Sequence, residues 1–409
     1  MAHNPANNIQ DLQFFGEFGG VNPSISDSST FTFMTAKAMM DTFEGDQEGS
    51  FLYSRHSSPS TEYLAKALAQ LENTASAQVY ASGMGAISTT LMQLCKQGNH
   101  IVSSRTIYGG SYAFMKHFLP QFGVETRFVD ITDLEAVEAA IQPNTKVLYC
   151  ETLSNPMLEV ADIEALSKIA KQHQICLVVD NTFTPLCITP ANHGADVVIH
   201  SLTKFINGSS DAVGGAICGS HEFIESVKDV NNGAGMLLGQ TMDSLRAASI
   251  LKNLRTLPIR MQKHSANAMY LTSYFQELEL KCTYPGLQNH NGNNTFQKLG
   301  NAEFGFSGIF TLDVGSIEKA TEFMELMQHE NVGYLAVSLG FYKTLFSASG
   351  SSTSSEIPED EQQEMGLSPG LVRFSIGLDH DIKRTAMQIE KCLMACGVIS
   401  KQKNSELSV

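Results

Sequence analysis

The chain has 409 residues, 43% of them apolar, with 27 Lys and Arg against 42 Asp and Glu for a formal charge of -15. That much apolar sequence can bury more than one core, so a larger and a smaller domain are expected. A field of this sign repels polyanions and disfavours nucleic acid as a partner.

The start, MAHNPANNIQDLQFF, has neither a basic flank nor an apolar run, and no later stretch is apolar for the length a bilayer demands. An unexported, cytoplasmic protein without a membrane partner is the expectation. Residues 1–60 are rich in Ser, Thr, Asn and Gly, with short aromatic clusters and little periodicity. Such a segment rarely holds itself together and is expected to lie as an arm over its own domain or a neighbouring subunit.

From Thr61 the pattern changes. TEYLAKALAQLENT has helical spacing, AQVYAS reads as a short strand, and Gly83 opens a helix through AISTTLMQLCKQG. HIVSS, ETRFVD, TKVLYCE, ICLVVDN and ADVVIHSL read as buried strands. They alternate with the helical SYAFMKHFLPQFG, LEAVEAAI and DIEALSKIAKQH. This alternation predicts an α/β domain over 61–255 with a mostly parallel sheet covered on both faces. GGAICG at 214–219 is one more short strand. After Leu257-Pro258 come a helix (MQKHSANAMYLTSYFQEL), strands around FSGIFTLDV, the helix SIEKATEFMELMQH, the strand LVRFSIG and the helix DIKRTAMQIEKCLMAC. A smaller α+β domain over 256–409 is expected, with KQKNSELSV a frayed tail.

The eight cysteines are scattered, most of them in apolar runs such as VLYCE and ICLVV. They read as reduced core thiols, since disulfides or a zinc site would want close pairs; no metal is expected.

The chemistry concentrates at strand ends. ADVVIHSLTK delivers Ser201, Thr203 and Lys204 at a carboxyl end, where open parallel sheets place ligands. ICLVVDN ends in Asp180, and on these two strands alone an ordinary ion pair at the sheet edge explains the charges equally well. Ser82-Gly83-Met84 lies between a strand and a helix, where glycine permits the tight turn and free first-turn amides attract an anion. Ser201 and Thr203 add hydroxyl donors, and Met84 is expected to contribute its amide more than its thioether. The segment is neither a GxGxxG fingerprint with a ribose-binding acid nor a Walker A loop. A lysine, a buried acid, a phosphate cup and an aromatic at Tyr108 (RTIYGGSY) are the parts that pyridoxal 5'-phosphate (PLP) needs: an amine for its aldehyde, a carboxylate for its ring nitrogen, and a flat ring to stack on it.

The chain resembles the Cys/Met-metabolism (trans-sulfuration) family of PLP enzymes. The resemblance rests on LYSR with Tyr53 and Arg55, YASGMGAI, TIYGGSY, ETLSNP with Asn155, VVDNTF with Asp180, SLTK with Lys204, VSLG with Ser338 and LVRFSIGLD with Arg373. It implies an aminotransferase-like (fold type I) large domain with a smaller C-terminal α+β domain, and self-association as a dimer or tetramer with shared active sites. It also implies that Tyr53 and Arg55 complete the neighbour's phosphate site and that Arg373 holds the substrate α-carboxylate, aided by Asn155 and Ser338. Lys204 would then move the α and β protons while Tyr108 stacks and protonates the leaving group.

The pattern is nearest to methionine γ-lyases and cystathionine γ-lyases. Cystathionine enzymes commonly carry Glu before the VSLG serine, facing the distal ammonium; Val337 stands there and favours the apolar thioether of methionine. Elimination to 2-oxobutanoate, ammonia and methanethiol is therefore expected, with cystathionine, or elimination or replacement on another γ-substituted amino acid such as an O-acylhomoserine, as the alternative. Four features depart from the family pattern: Gly110 where many methionine enzymes carry Cys, Phe341-Tyr342-Lys343 after the SLG, ASGSSTS at 348–354 without the usual histidines, and Ser58-Pro59 for Asn-Pro. The lost histidines leave a catalytically silent interaction protein as a further alternative, against which the intact Lys204 and Asp180 stand.

Overall fold

The computed structural model describes residues 4–44, 49–348 and 358–400. Most of the altered ASGSSTS segment, 349–354, and the tail from 401 lie outside them.

Seven strands form the first sheet: β1 (Ser76–Tyr80), β2 (His100–Ser104), β3 (Glu125–Val129), β4 (Thr145–Glu151), β5 (Cys176–Asp180), β6 (Val197–Ser201) and β7 (Gly215–Gly219). Their spatial order is β1-β7-β6-β5-β4-β2-β3. The pairs β2·β3, β2·β4, β4·β5 and β5·β6 are parallel, and β7 runs antiparallel to both β6 and β1. The expected mostly parallel sheet is present, and its one reversal falls at the glycine-rich GGAICG. Glycine suits a close approach here: a Cβ on Gly215 would lie 2.0 Å from the carbonyl oxygen of Ser82.

Apolar clusters cover both faces. Val79, Leu148, Cys150, Val179 and Val198 pack under the helix Pro59–Glu72 on one side, while Ile101, Val147, Tyr149, Val178 and Ile199 lie in the cluster on the other. Neighbours alternate between faces along each strand, and this explains why sequences such as VLYC and LVV are apolar throughout.

The second sheet comprises β8 (Lys281–Thr283), β9 (Ile309–Asp313), β10 (Gly333–Leu335), β11 (Thr344–Ala348) and β12 (Leu371–Ser375), ordered β10-β11-β12-β9-β8. All its pairs are antiparallel except β10·β11. The helices Leu257–Glu277, Ile317–His329 and Ile382–Ala395 bury Phe275, Phe323 and Ile389 in the cluster that contains Phe310 and Phe374 of this sheet.

Two local expectations need correction. SYAFMKHFLPQFG is no single helix: an α-turn at Gly109–Ala113 widens into a π-turn at Phe114–Phe118 and tightens to 3-10 at Leu119–Phe122. Pro120 explains the change, because it has no N–H to continue the α ladder and its ring crowds the preceding turn. The helix opened by Gly83 ends at Leu94, where Cys95 is already extended, short of Gly98. The first sixty residues contain the helices Pro5–Asp11 and Ala36–Glu44 despite their weak periodicity. Ser58-Pro59, by contrast, has a plain local role. The Ser58 hydroxyl accepts from Thr61 N at 3.3 Å, the Thr61 hydroxyl accepts from Ser58 N at 2.9 Å, and Pro59 opens the helix. The substitution exchanges one good N-cap residue for another.

Glu72 ends that helix in a buried polar knot. His200 Nε2 lies 2.7 Å from Glu72 Oε1, with side-chain exposures of 0% and 1%, and Asn181 Nδ2 donates to the same oxygen at 2.8 Å. The knot ties the helix to the residues flanking Asp180 and Ser201. Glu72→Leu strands two buried donors, and an expected loss of about 3–5 kcal/mol in unfolding free energy follows. A urea titration at fixed PLP checks this, and a loss below about 1 kcal/mol would show the knot to be energetically idle.

Candidate active site

The carboxyl ends of β4, β5 and β6 place Glu151, Asp180 and Ser201 side by side, with Glu151 and Asp180 in direct register. Beyond them is a cavity of about 240 Å³ lined by Ser82, Gly83, Met84, Tyr108, Asn155, Asp180, Ser201, Thr203, Lys204, Val337 and Arg373. Glu151, Leu153 and Phe183 complete much of its wall. One chain's topology thus gathers nearly all the residues singled out in sequence.

Ser82 caps the helix Gly83–Leu94 through its hydroxyl, which accepts from Gly85 N at 2.9 Å. The amides of Gly83 and Met84 precede Ala86 N, which donates to the Ser82 carbonyl at 3.1 Å, and first-turn amides of this kind form an anion site. A Cβ on Gly83 would come 2.8 Å from Ser201 Cβ, so only glycine lets this helix start against β6. Thr203 accepts from Gly214 N at 3.1 Å through its hydroxyl.

Lys204 Nζ donates to Ser338 Oγ at 3.3 Å. Burial, with the Arg373 guanidinium nearby, lowers the amine from 10.5 to about 8. Asp180 is 7% exposed and accepts from Thr182 N at 3.0 Å and from the Thr182 hydroxyl at 2.5 Å. Burial pushes its carboxyl up, and the Thr182 bonds oppose that shift. Arg373 Nη1 donates to Asn155 Oδ1 at 2.9 Å and Nη2 to the Ser338 carbonyl at 3.4 Å, while its buried Nε has no hydrogen-bond partner among the described residues. A guanidinium this deep with an unpaired donor is costly unless an anion completes it.

The segment carrying Val337 and Ser338 presses on the lysine. Gly340, at φ +79, would place a Cβ 2.6 Å from Phe205 N and 2.9 Å from the Lys204 carbonyl carbon, and its own amide donates to Ser375 Oγ at 2.8 Å. Val337 is 63% exposed, so the position expected to contact the substrate tip opens toward solvent in the single chain. Lys343 sits over the Tyr334 ring, 5.5 Å from its centroid, and does not line the cavity. A Cβ on Gly110 would lie 2.6 Å from the Tyr108 ring and 3.2 Å from Met84 Sδ, so a cysteine there would have to displace Tyr108.

Three predicted residues are absent from this lining, and one of them, Ser338, still meets the site by accepting from Lys204 Nζ. Tyr53 and Arg55 do not line this cavity; Arg55 Nη1 donates to the Met236 carbonyl at 3.3 Å, with its guanidinium 5.8 Å from the Tyr53 ring centroid. Conversely, Glu151 and Thr182 went unnoticed in the sequence. Glu151 could have been found by the logic that found Asp180, since each is an acid that ends a strand directly after an apolar run.

The family model described as Cys/Met metabolism PLP-dependent enzyme matches residues 8–385. The chain belongs to this family. It is 42% identical over 397 residues to the methionine gamma-lyase of Arabidopsis thaliana (95% of this chain, 90% of that protein) and 36% identical over 337 residues to the cystathionine gamma-lyase of Bacillus subtilis (81% and 86%). A crystal structure of a putative O-acetylhomoserine (thiol)-lyase from Campylobacter jejuni, which holds N'-pyridoxyl-lysine-5'-monophosphate, superposes with a TM-score of 0.88 at 29% identity, covering 95% of this chain and 99% of that one.

The protein is thus a PLP-dependent carbon–sulfur lyase of the trans-sulfuration family, with the fold-type-I architecture expected from its sequence. Its reaction is of the γ-family type on sulfur-containing amino acids or their close relatives. The cavity suits PLP: a glycine-built helix start for the phosphate, a depressed lysine amine for the aldehyde, and a buried carboxylate.

Proposed function

We propose that the chain eliminates the γ-substituent of L-methionine, consuming water and giving 2-oxobutanoate, ammonia and methanethiol. The observation that carries this reading is the uncharged Val337 at the cavity wall beside Ser338, among the apolar Leu339, Val213 and Phe183. A methylthio group needs only such a wall, whereas a distal ammonium wants a charge.

In this reading the Gly83 and Met84 amides hold the PLP phosphate with Ser82, Ser201 and Thr203, and Lys204 takes the aldehyde. PLP supplies a ring that withdraws electrons from the substrate's α-carbon. Asp180 keeps the ring nitrogen protonated, and Tyr108 covers the ring face. Arg373 takes the α-carboxylate as a fork, its orphan Nε included, with Asn155 and Ser338 fixing the guanidinium. The Lys204 amine removes the Cα proton and serves Cβ, and Tyr108 delivers a proton to the departing sulfur.

The arm carrying Tyr53 and Arg55 serves the partner's site in a dimer or tetramer. Support comes from its position outside this chain's cavity and from exposed Phe15, Phe18, Val21, Met34 and Phe43 along it. The eight free thiols suit a reducing compartment such as the cytoplasm. Among the described residues, no helix is long and apolar enough to cross a membrane.

A second reading, replacement on an O-acylhomoserine, draws support from the close superposition with the Campylobacter jejuni structure. A panel of methionine, cystathionine, cysteine, homocysteine and O-acetylhomoserine, with ammonia and oxoacid both quantified, separates the two. Methionine should give equal ammonia and 2-oxobutanoate; amine retained in the product after adding a thiol to O-acetylhomoserine would favour replacement.

Val337→Glu should raise the cystathionine-to-methionine ratio of kcat/KM. Because Val337 is largely exposed, the gain is expected to be modest, about fivefold, the worth of an exposed ion pair near 1 kcal/mol. An unmoved ratio would remove Val337 from the specificity argument.

A further inference from the structure

We infer that Glu151 is a positioning residue that locks the Tyr108 loop and the Asn155 loop to each other across the cavity. The inference rests on the proposed roles of Tyr108, Asn155 and Arg373. Glu151 Oε1 accepts from Tyr108 N at 2.7 Å, and Oε2 accepts from Asn155 N at 2.9 Å. One loop follows β2 and the other follows β4, so a single carboxylate clamps two segments that separately carry the stacking ring and the holder of Arg373.

The clamp is built at some electrostatic cost. Glu151 is 7% exposed and stands in register with Asp180, and burial together with that like charge pushes its carboxyl up; the two amides and the Arg373 guanidinium pull it down. Apart from Asp180, the charged group acting on it is Arg373 on β12, and Lys204 lines the same cavity. A carboxylate is the one side chain of this length that offers an acceptor to each amide. Glutamine offers one oxygen and turns an NH2 donor toward the other amide, releasing one loop.

The test uses PLP-loaded wild type, Glu151→Gln, Asn155→Ala and the double variant. Glycine is the ligand probe, because it carries an α-carboxylate and amine but no leaving group; its binding is read from the cofactor's absorbance. Peptide-resolved hydrogen exchange is the second readout. Glu151→Gln should keep PLP on Lys204, exchange faster at residues 105–112 or 152–158 or both, and lose about 100-fold in kcat/KM, the penalty of a catalytic group misplaced by about 1 Å. Where the 152–158 segment loosens, the double variant should lose less than the product of the two single losses.

Unchanged exchange with activity within about twofold of wild type, or strictly additive losses despite faster exchange at 152–158, would overturn the inference. Should Glu151→Gln fail to load or fold, Glu151→Asp decides. It keeps the charge but is one methylene shorter and reaches one amide, so one segment alone should loosen; wild-type exchange at both segments would overturn the clamp. A wild type whose absorbance ignores glycine and every panel amino acid would instead count against the proposed substrate site, and the exchange data would still judge Glu151.

Discussion

Lys204→Ala is expected to leave some PLP in the protein but no covalent link, and to lower turnover about 10,000-fold, the upper range for removing a group that moves protons. Borohydride treatment of the wild type should fix the cofactor on Lys204, mapped by peptide mass; an adduct on another lysine would end the assignment. The environment of the amine makes a further demand. Its pKa is lowered from 10.5 to about 8 by burial, so between those values the unfolded chain binds a proton that the folded chain does not. Stability of the cofactor-free protein should therefore rise with pH across that window as far as Lys204 is concerned. The free amine becomes abundant above about pH 8, and capture of added PLP by cofactor-free protein should accelerate through that pH and level off about one unit higher. An acceleration continuing to the ordinary lysine range would show that the amine is not desolvated.

Asp180→Ala is expected to lower kcat on the order of a thousandfold while Lys204 still holds PLP, since a charge aimed at the electron-withdrawing ring acts on the reaction more than on cofactor capture. The loss should appear in kcat with little change in KM. The Thr182 bonds to Asp180 bear on this result. They oppose the burial that pushes this carboxyl toward its neutral form, and His200 and the Tyr149 hydroxyl add smaller contributions of the same sign. Near wild-type kcat in the variant would remove Asp180 from the chemistry.

Much of this arrangement was legible because buried parallel strands write themselves as apolar runs and their ends announce themselves by charge. ICLVVD and VVIHS sit where they were expected, and so does the Gly83 turn. Glu151 ends TKVLYCE in the same manner and is also the first residue of ETLSNP, four positions before Asn155. The Glu72–His200 knot was not readable, because its partners are 128 residues apart and each stands in an ordinary local context. The broken helix after Tyr108 was missed because helical spacing continues through Pro120, while its consequence depends on which amide the ring abolishes. The openness of Val337 is likewise a tertiary property: the sequence names the residue but not the solvent beside it.

The seating of Gly340 against the Lys204–Phe205 peptide bears on how the molecule is assembled. The lysine lies in the turn that follows β6 of the first sheet, but the wall that fixes its backbone and the hydroxyl that receives its amine come from the connection between β10 and β11 in the second. A chain in which only the first sheet has formed would own the lysine without its proper address. Time-resolved refolding should therefore show PLP capture lagging behind secondary-structure formation and coinciding with closure of the interface between the two sheets. The cofactor's colour would then serve as a clock for that last event.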